Sequence, residues 1–459
     1  MIAAIKAFQP WPWSRQRAAA LGLVAAALGL SHRMAFAVSR PGIIGIFAGV
    51  AILAAVAMVR QWPGPKATLE ELNLVFAGAF VLLVFVGALR PYRDDILASG
   101  LVILAAVLFF VLEPFPGLRR RRLWLVTPVL LAAHAVLVLH LPFPKQDVFR
   151  FLTLGVDGLF RHGLDPYRPI PDPVSADVRP YTFTYPPGAA LLVAPFRLFL
   201  GDVRWAFVAA EAAFVAAVAV AARRRGEIAT WQHAAILLPL VFPRTNQAYF
   251  DFGNHEWVLL ALAAAAIALR HRWLWSGLLL GLGIATKQYF VVFPVLFLLP
   301  WLERRALVAA AAVALAVVLP FLIWDAGSLL HDTTNQLGAP PDPDRLTIYA
   351  MLRGAGLDVG RAGAGFLAVV GLALALASAW WGRRSLDRAL VACGVGLCLF
   401  TLFADFSAYN YFGYALAFVA WGVAISDPDE GKEPGRAGGV SGVTLERGPQ
   451  HPLLHDRPQ

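Results

Sequence analysis

Residues 124–141 read WLVTPVLLAAHAVLVLHL, a run with no Lys, Arg, Asp or Glu. Crossing a hydrocarbon core of ~30 Å takes about 20 apolar residues. With its flanks the run is long enough to do so as a helix, which satisfies every backbone N–H and C=O within the segment. FPKQDVFRF (143–151) follows almost at once. Lys145, Asp147 and Arg150 therefore stand at the lip of a membrane. Asp147 is the first carboxylate past the run, and a charge at that depth needs a reason.

Runs of the same kind recur from residue 17 to residue 425. The 459 residues are 59% hydrophobic and only 15% charged, with a mean hydropathy of +0.65. A soluble domain carries about 25% charged residues, so this chain has too little polar surface for a water-soluble globule. A β-barrel would alternate apolar and polar residues, and these runs do not. The expected fold is all-α: a polytopic membrane helical domain of about 14 transmembrane spans with large extracytoplasmic loops. The spans fall near 17–31, 41–59, 72–89, 96–112, 123–141, 203–222, 228–243, 256–270, 273–286, 288–302, 306–323, 363–381, 386–403 and 408–425. Three of them, 17–31, 228–243 and 273–286, are short for full crossings.

The net charge of +10 sits in short clusters between the runs rather than in a nucleic-acid-binding stripe. Those clusters include Arg119–Arg122, Arg223–Arg225, Arg270–Arg272 and Arg383–Arg384. Alternating from a cytoplasmic N-terminus places each of them inside, as the positive-inside rule requires. The same alternation puts 142–202 and 324–362 outside. PPGAALLVAPFRLFL (186–200) is apolar but contains three prolines and Arg197. Counting it as a span would turn Arg223–Arg225 outward, so an interfacial or re-entrant helix fits better. The expected organisation is a four-span module over 1–122, a core over 123–426 and a disordered cytoplasmic tail over 427–459. Cys393 and Cys398 share one apolar run and form no disulfide framework.

The acids collect in the outer loops. Loop 142–202 holds Asp147, Asp157, Asp165, Asp172, Asp177 and Asp202. It opens with helical spacing at Phe149, Leu152, Val156, Leu159 and Phe160, a face suited to lying on the membrane. Asp147 has a plain structural role open to it, as N-cap of that helix or partner of Lys145 or Arg150. Its aromatic neighbours and its place at headgroup depth point instead to chemistry on a lipid-borne group. Lys287, in GLGIATKQYFVVFPV, stands at an outer corner between two runs. It either snorkels to headgroups or binds a phosphate. Arg244 and Arg345 are further phosphate candidates. GNHEW (253–257), preceded by Asn246, Gln247 and Asp251, offers polar groups either for sugar hydroxyls or for capping the next helix. His255 and Glu256 lack a second ligand pair at metal spacing, so no metal is expected.

In order along the chain stand Asp147, then Gly163-Leu-Asp165-Pro166-Tyr167, Tyr185-Pro186-Pro187 and Gly253-Asn254. The hairpin from Ser276-Gly277 through Gly281 and Gly283 to Lys287 completes the series. This ordered set resembles the glycosyltransferase C superfamily, and within it the polyprenyl-phosphate-mannose-dependent α-mannosyltransferase branch similar to glycosyltransferase family 87. The likeness covers roughly 123–425 and departs from the pattern in two places. The family puts its acid after the first span, whereas five are expected here before Asp147. The family's Gln after Gly is Asn254 in this chain.

The resemblance implies an integral membrane glycosyltransferase of the plasma membrane, with both termini cytoplasmic and the active site extracytoplasmic. It would move a hexose, on the branch's example mannose, from a polyprenyl-phosphate-sugar donor to a lipid or glycan acceptor, with inversion and without a cofactor. Membrane lipids would be its surroundings and nucleic acid no partner. Asp147 would be the base, Lys287 the main phosphate contact with Arg244 and Arg345 beside it. Tyr167, Tyr185, Asn254, His255 and Glu256 would shape the sugar and acceptor pocket. Asp157 and Asp165 stand in reserve as acids, though Asp165 before Pro166 reads better as a turn residue. Two other classes remain open. A secondary transporter or flippase would use ionisable residues near the midplane, where His134 and Glu211 are the nearest candidates. A lipid-linked polysaccharide polymerase or ligase would lean on Arg and His more than on Asp147.

Overall fold

The computed structural model describes residues 14–31, 33–34, 37–38, 40–58, 68–89, 95–141, 144, 147–168, 183–242, 250, 253, 255–287, 292–334, 347–357, 359–403 and 409–426. Of Asp147 it describes the backbone alone. Residues 1–426 form one compact unit. Among the described residues the chain is helical apart from a two-residue antiparallel pairing of 33–34 with 37–38.

The helices in chain order are α1 (Arg15–Ser31), α2 (Arg40–Met58), α3 (Leu69–Leu89), α4 (Ile96–Val111), α5 (Pro116–Arg120) and α6 (Arg122–His140). Then come α7 (Asp147–Arg161), α8 (Gly188–Leu200), α9 (Trp205–Arg223), α10 (Thr230–Leu237), α11 (Glu256–Ala268) and α12 (Trp273–Ile284). The chain continues with α13 (Val292–Leu298), α14 (Arg304–Thr334), α15 (Ile348–Gly354), α16 (Gly360–Gly382), α17 (Leu386–Phe403) and α18 (Tyr409–Ala424). Each segment expected to span holds one of these helices. Six of them, α3, α6, α9, α14, α16 and α17, are long and apolar enough to cross a membrane. Several of the others are short: α10, for example, has 8 residues and runs into a 3-10 turn at Leu238–Val241.

Burial sorts the helices into an interior and a shell. All of α10 is buried, packed against α3 and α18. α17 and α18 lie in the same interior, with Cys393 and Cys398 as buried free thiols. α14 and α16 form the shell. Val308 is 70% exposed, Ile323 77% and Phe366 68%, bare apolar side chains of the kind a membrane-facing surface carries. The helices α1 and α2 do not stand apart. α1 packs on α3 and α18, and α2 on α16 and α17.

Small residues set the closest helix contacts. On α12 a Cβ added at Gly277 would lie 2.5 Å from the Ala306 carbonyl oxygen, and one at Gly281 2.5 Å from that of Ala310. The hairpin motif is thus a small-xxx-small seam that lets α12 and α14 touch backbone to backbone. Gly281→Leu forces the two helices apart. It should cost about 1–3 kcal/mol, the range of overpacked cores, read as an earlier thermal unfolding of the detergent-solubilised protein.

Both segments expected outside, 142–202 and 324–362, hold helices among their described residues. Leu152 and Val156 of α7 are fully buried in protein, and Gly155 is pressed by the Phe183 ring. The α7 face expected on the membrane is therefore mostly a core face, with only Phe160 well exposed. α8 has 13 residues with Pro195 inside it, and buries Ala189, Ala190, Val193 and Ala194. α14 runs past its apolar part to Thr334, broken at Asp325 (φ −155°, ψ 84°). The Asp325 carboxylate accepts from the Ser328 amide (3.1 Å) and hydroxyl (3.0 Å), capping the second piece. Arg168 reaches Asp325 at 3.2 Å and ties the segment after α7 to the second piece of α14.

Candidate active site

Three chain segments meet at one end of the bundle, because the Tyr-Pro-Pro-Gly turn before α8 sits directly on the corner after α12. The Gly188 amide donates to the Ala285 carbonyl at 2.8 Å. A Cβ at Gly188 would fall 2.4 Å from that oxygen, so only Gly fits. The contact brings Tyr185 to Lys287. The Lys287 Nζ lies 5.3 Å from the Tyr185 ring centre and 5.2 Å from that of Tyr411, close enough for cation–π attraction.

Lys287 is not at the surface. It is 2% exposed, and its Nζ donates to the Glu256 carboxylate at 2.5 Å; Glu256 is 0% exposed. A lone buried charge is expensive, and the pair removes most of that cost. Beside it the Tyr185 and His255 rings meet edge to face, 4.7 Å apart. His255 is completely buried, with the Thr286 backbone the hydrogen-bonding group nearest its ring. Burial, and then the Lys287 charge, hold its imidazole well below the usual histidine range, so it is neutral.

Tyr167 buttresses this group from behind. Its hydroxyl donates to the Tyr185 carbonyl at 2.8 Å, and its own amide donates to the Asp165 carboxylate at 3.0 Å. Asp165 is thus the turn residue its Pro neighbour suggested. Burial raises its carboxyl pKa, with the Tyr167 amide opposing. Burial likewise raises the Tyr167 hydroxyl far above its ordinary value, so it stays protonated and donates. The rings of Phe321, Tyr167, Phe183 and Tyr185 follow one another edge to face at 5.7–6.1 Å. They make an aromatic wall running from α14 to His255.

Asp157 is held by Arg197 at 2.6 Å and lies 3.4 Å from Arg161. A carboxylate so engaged ties α7 to α8. His134 and Glu211 close on each other at 2.7 Å, both fully buried. Arg244, Asn254 and Arg345 lie outside the described residues, as do Asn246, Gln247 and Asp251 and the side chain of Asp147. Among the described residues no group of three metal-ligating side chains is gathered.

Arg204 is the residue that sequence reasoning missed. It is 0% exposed. Its guanidinium donates to the carbonyls of Val138 (2.9 Å), Leu141 (2.5 Å) and Phe250 (3.0 Å), and to Asp202 (2.7 Å). It also covers the Phe149 ring at 5.2 Å. From the other side the loop at Gly253 (φ +74°) presses on the same residue; a Cβ there would lie 2.7 Å from the Phe149 Cα. One buried arginine therefore joins the end of α6, the segment before Glu256 and the first turn of α7, which begins at Asp147. The only signal in the sequence was an Arg at the start of the apolar run expected over 203–222. Arg204→Ala leaves three carbonyls without their side-chain donor and Asp202 with only the amide of residue 204 (2.8 Å). It should destabilise by about 3–5 kcal/mol, the cost of breaking a buried charge pair. Arg204→Lys, with three donors rather than five, should fall between the two in thermal unfolding.

The sequence profile of glycosyltransferase family 87 matches residues 183–425. A polyprenol-phosphate-mannose-dependent alpha-(1-2)-phosphatidylinositol mannoside mannosyltransferase of Mycobacterium tuberculosis is 29% identical over 231 residues. That match covers 45% of this chain and 53% of the relative, so the chain spans about half the length of the curated protein it resembles. No solved structure matches the chain.

Proposed function

Because this chain belongs to glycosyltransferase family 87, we propose that it moves a hexose, mannose by the relative's example, from a polyprenyl-phosphate-sugar to a hydroxyl of a lipid or glycan acceptor. The observation that carries this reading is the convergence of Tyr167, Tyr185, His255, Glu256 and Lys287 into one aromatic-walled cluster, with Gly253, two residues before His255, seated on Phe149 in the first turn of α7.

The chemistry needs few groups. The leaving group is a phosphate, whose second pKa near 6 lets it depart without a general acid once cations meet its charge. Lys287, one of whose three N–H donors goes to Glu256, would donate to that phosphate, with Arg244 and Arg345 as further cations. Asp147 would take the proton of the acceptor hydroxyl as its oxygen attacks the anomeric carbon. The bond from that carbon to the phosphate oxygen breaks on the opposite face, its electron pair leaves with the phosphate, and the configuration inverts. Glycoside hydrolysis would need two flanking carboxylates; here Asp157 is engaged by Arg197. Tyr185, His255 and Asn254 would hold the sugar, with neutral His255 able to accept or donate one hydrogen bond. Arg204 would position α7 for the base.

The proposed topology has about fourteen crossings of the plasma membrane, with both termini cytoplasmic and this cluster at the outer face. The transporter reading has His134 and Glu211 as its candidates, and these are paired with each other at 2.7 Å. The test is transfer of labelled mannose from polyprenyl-phosphate-mannose in membranes carrying the wild-type chain. Product above that of empty membranes supports the proposal. No product across several lipid-linked sugars and acceptors would remove it in favour of the transporter or ligase.

A further inference from the structure

The opposite end of α9 holds a second polar feature. α9 has 19 residues, so its Arg223 lies about 28 Å from the Arg204 end, well away from the sugar cluster. There a cavity of about 470 Å³ is lined by Arg120, Arg223, Gly226, Glu227, Ile228 and His233. Glu227 offsets Arg120 at 2.9 Å. Arg223 faces the Trp124 ring at 5.8 Å and has no carboxylate within reach among the described residues.

The wall behind the cavity is unsatisfied. His233 is 2% exposed, and its Nδ1 has no hydrogen-bond partner among the described residues. It lies within the electrostatic reach of Arg122, Arg223 and Arg119. Arg122 is itself 0% exposed; its Nη2 meets Glu113, while its Nε and Nη1 find no partner among the described residues. Buried polar groups are nearly always paired, so unanswered ones mark a missing partner. Of the two, His233 lines the cavity beside Arg120 and Arg223, and the partner that suits its Nδ1 in this positive surrounding is an anion. Basic pockets between helices at a membrane interface suit phosphate-bearing headgroups.

We infer that this cavity binds a phosphate oxyanion, carried either by an anionic lipid headgroup in the adjoining leaflet or by a soluble phosphate. The site is separate from the proposed donor site and does not depend on the glycosyltransferase assignment.

The experiment uses the full chain purified in detergent. Phosphatidylglycerol binding is read by native mass spectrometry, and inorganic phosphate by competition and by thermal shift. Arg120→Gln with Arg223→Gln should cut lipid retention at least about tenfold, the scale expected when two arginines are removed from a lipid-binding surface. Arg304→Gln with Arg305→Gln removes the same charge elsewhere and should leave retention unchanged. All four side chains are exposed, so both variants keep the fold, and Arg120→Gln alone gives a milder check. Displacement of the lipid by phosphate would show that the site reads the bare anion; retention despite phosphate would make the lipid its source. Equal loss in both double variants would reduce the cavity to diffuse surface charge and overturn the inference. Failure of the wild type to bind either probe would overturn it as well.

Discussion

Asp147→Asn is expected to lower mannose transfer by about 10²–10⁴-fold, the usual contribution of a positioned general base. The carboxamide keeps the size of the carboxylate but cannot take a proton. α7 should stay in place, because its anchors are elsewhere: Phe149 under Arg204 and Asp157 on Arg197. A base acts in the transition state, so kcat should fall while the KM for the donor changes little. Thermal unfolding of the variant should match the wild type. Equal rates in the two proteins would sink Asp147 as the base. A matched loss of stability and activity would make it a structural cap instead.

Lys287→Met should be the most damaging change to the fold among the cluster residues. It leaves the fully buried Glu256 carboxylate without its counter-charge, at a cost of about 3–5 kcal/mol. Adding Glu256→Gln removes the stranded charge and should return most of that stability, since replacing a whole buried pair is often near neutral. Transfer should stay lost in the double variant, because no ammonium remains for the leaving phosphate. Unfolding and transfer measured on the three variants separate the two roles. Recovery of transfer in the double variant would show the pair to be scaffolding alone.

Much of this architecture was legible because membrane helices write themselves in plain apolar runs. Each expected run carries a helix, since a buried backbone in lipid has almost no other choice. The runs could not say which helices would be cut short. The eight residues of α10 fall within a run expected to span, but they are buried by α3 and α18. Tyr185 and Lys287 were each recognisable, yet nothing in their spacing showed that a glycine would seat one on the other. Lys287 read as an open cation because its partner Glu256 is 31 residues away. Arg204 was invisible for a related reason. Three of its four hydrogen-bonding partners are backbone carbonyls, and a carbonyl leaves no trace in residue identity.

The packing of α1 and α2 against α16, α17 and α18 also sets a timetable. A ribosome adds about 5–20 residues per second, so tens of seconds separate the synthesis of these neighbours. Throughout that interval the face awaiting α17 and α18 is covered by lipid or by an insertion factor. The enzyme is therefore assembled like a ring whose clasp is made late, and a ribosome stalled before residue 386 would release a chain with its early helices inserted and the ring still open.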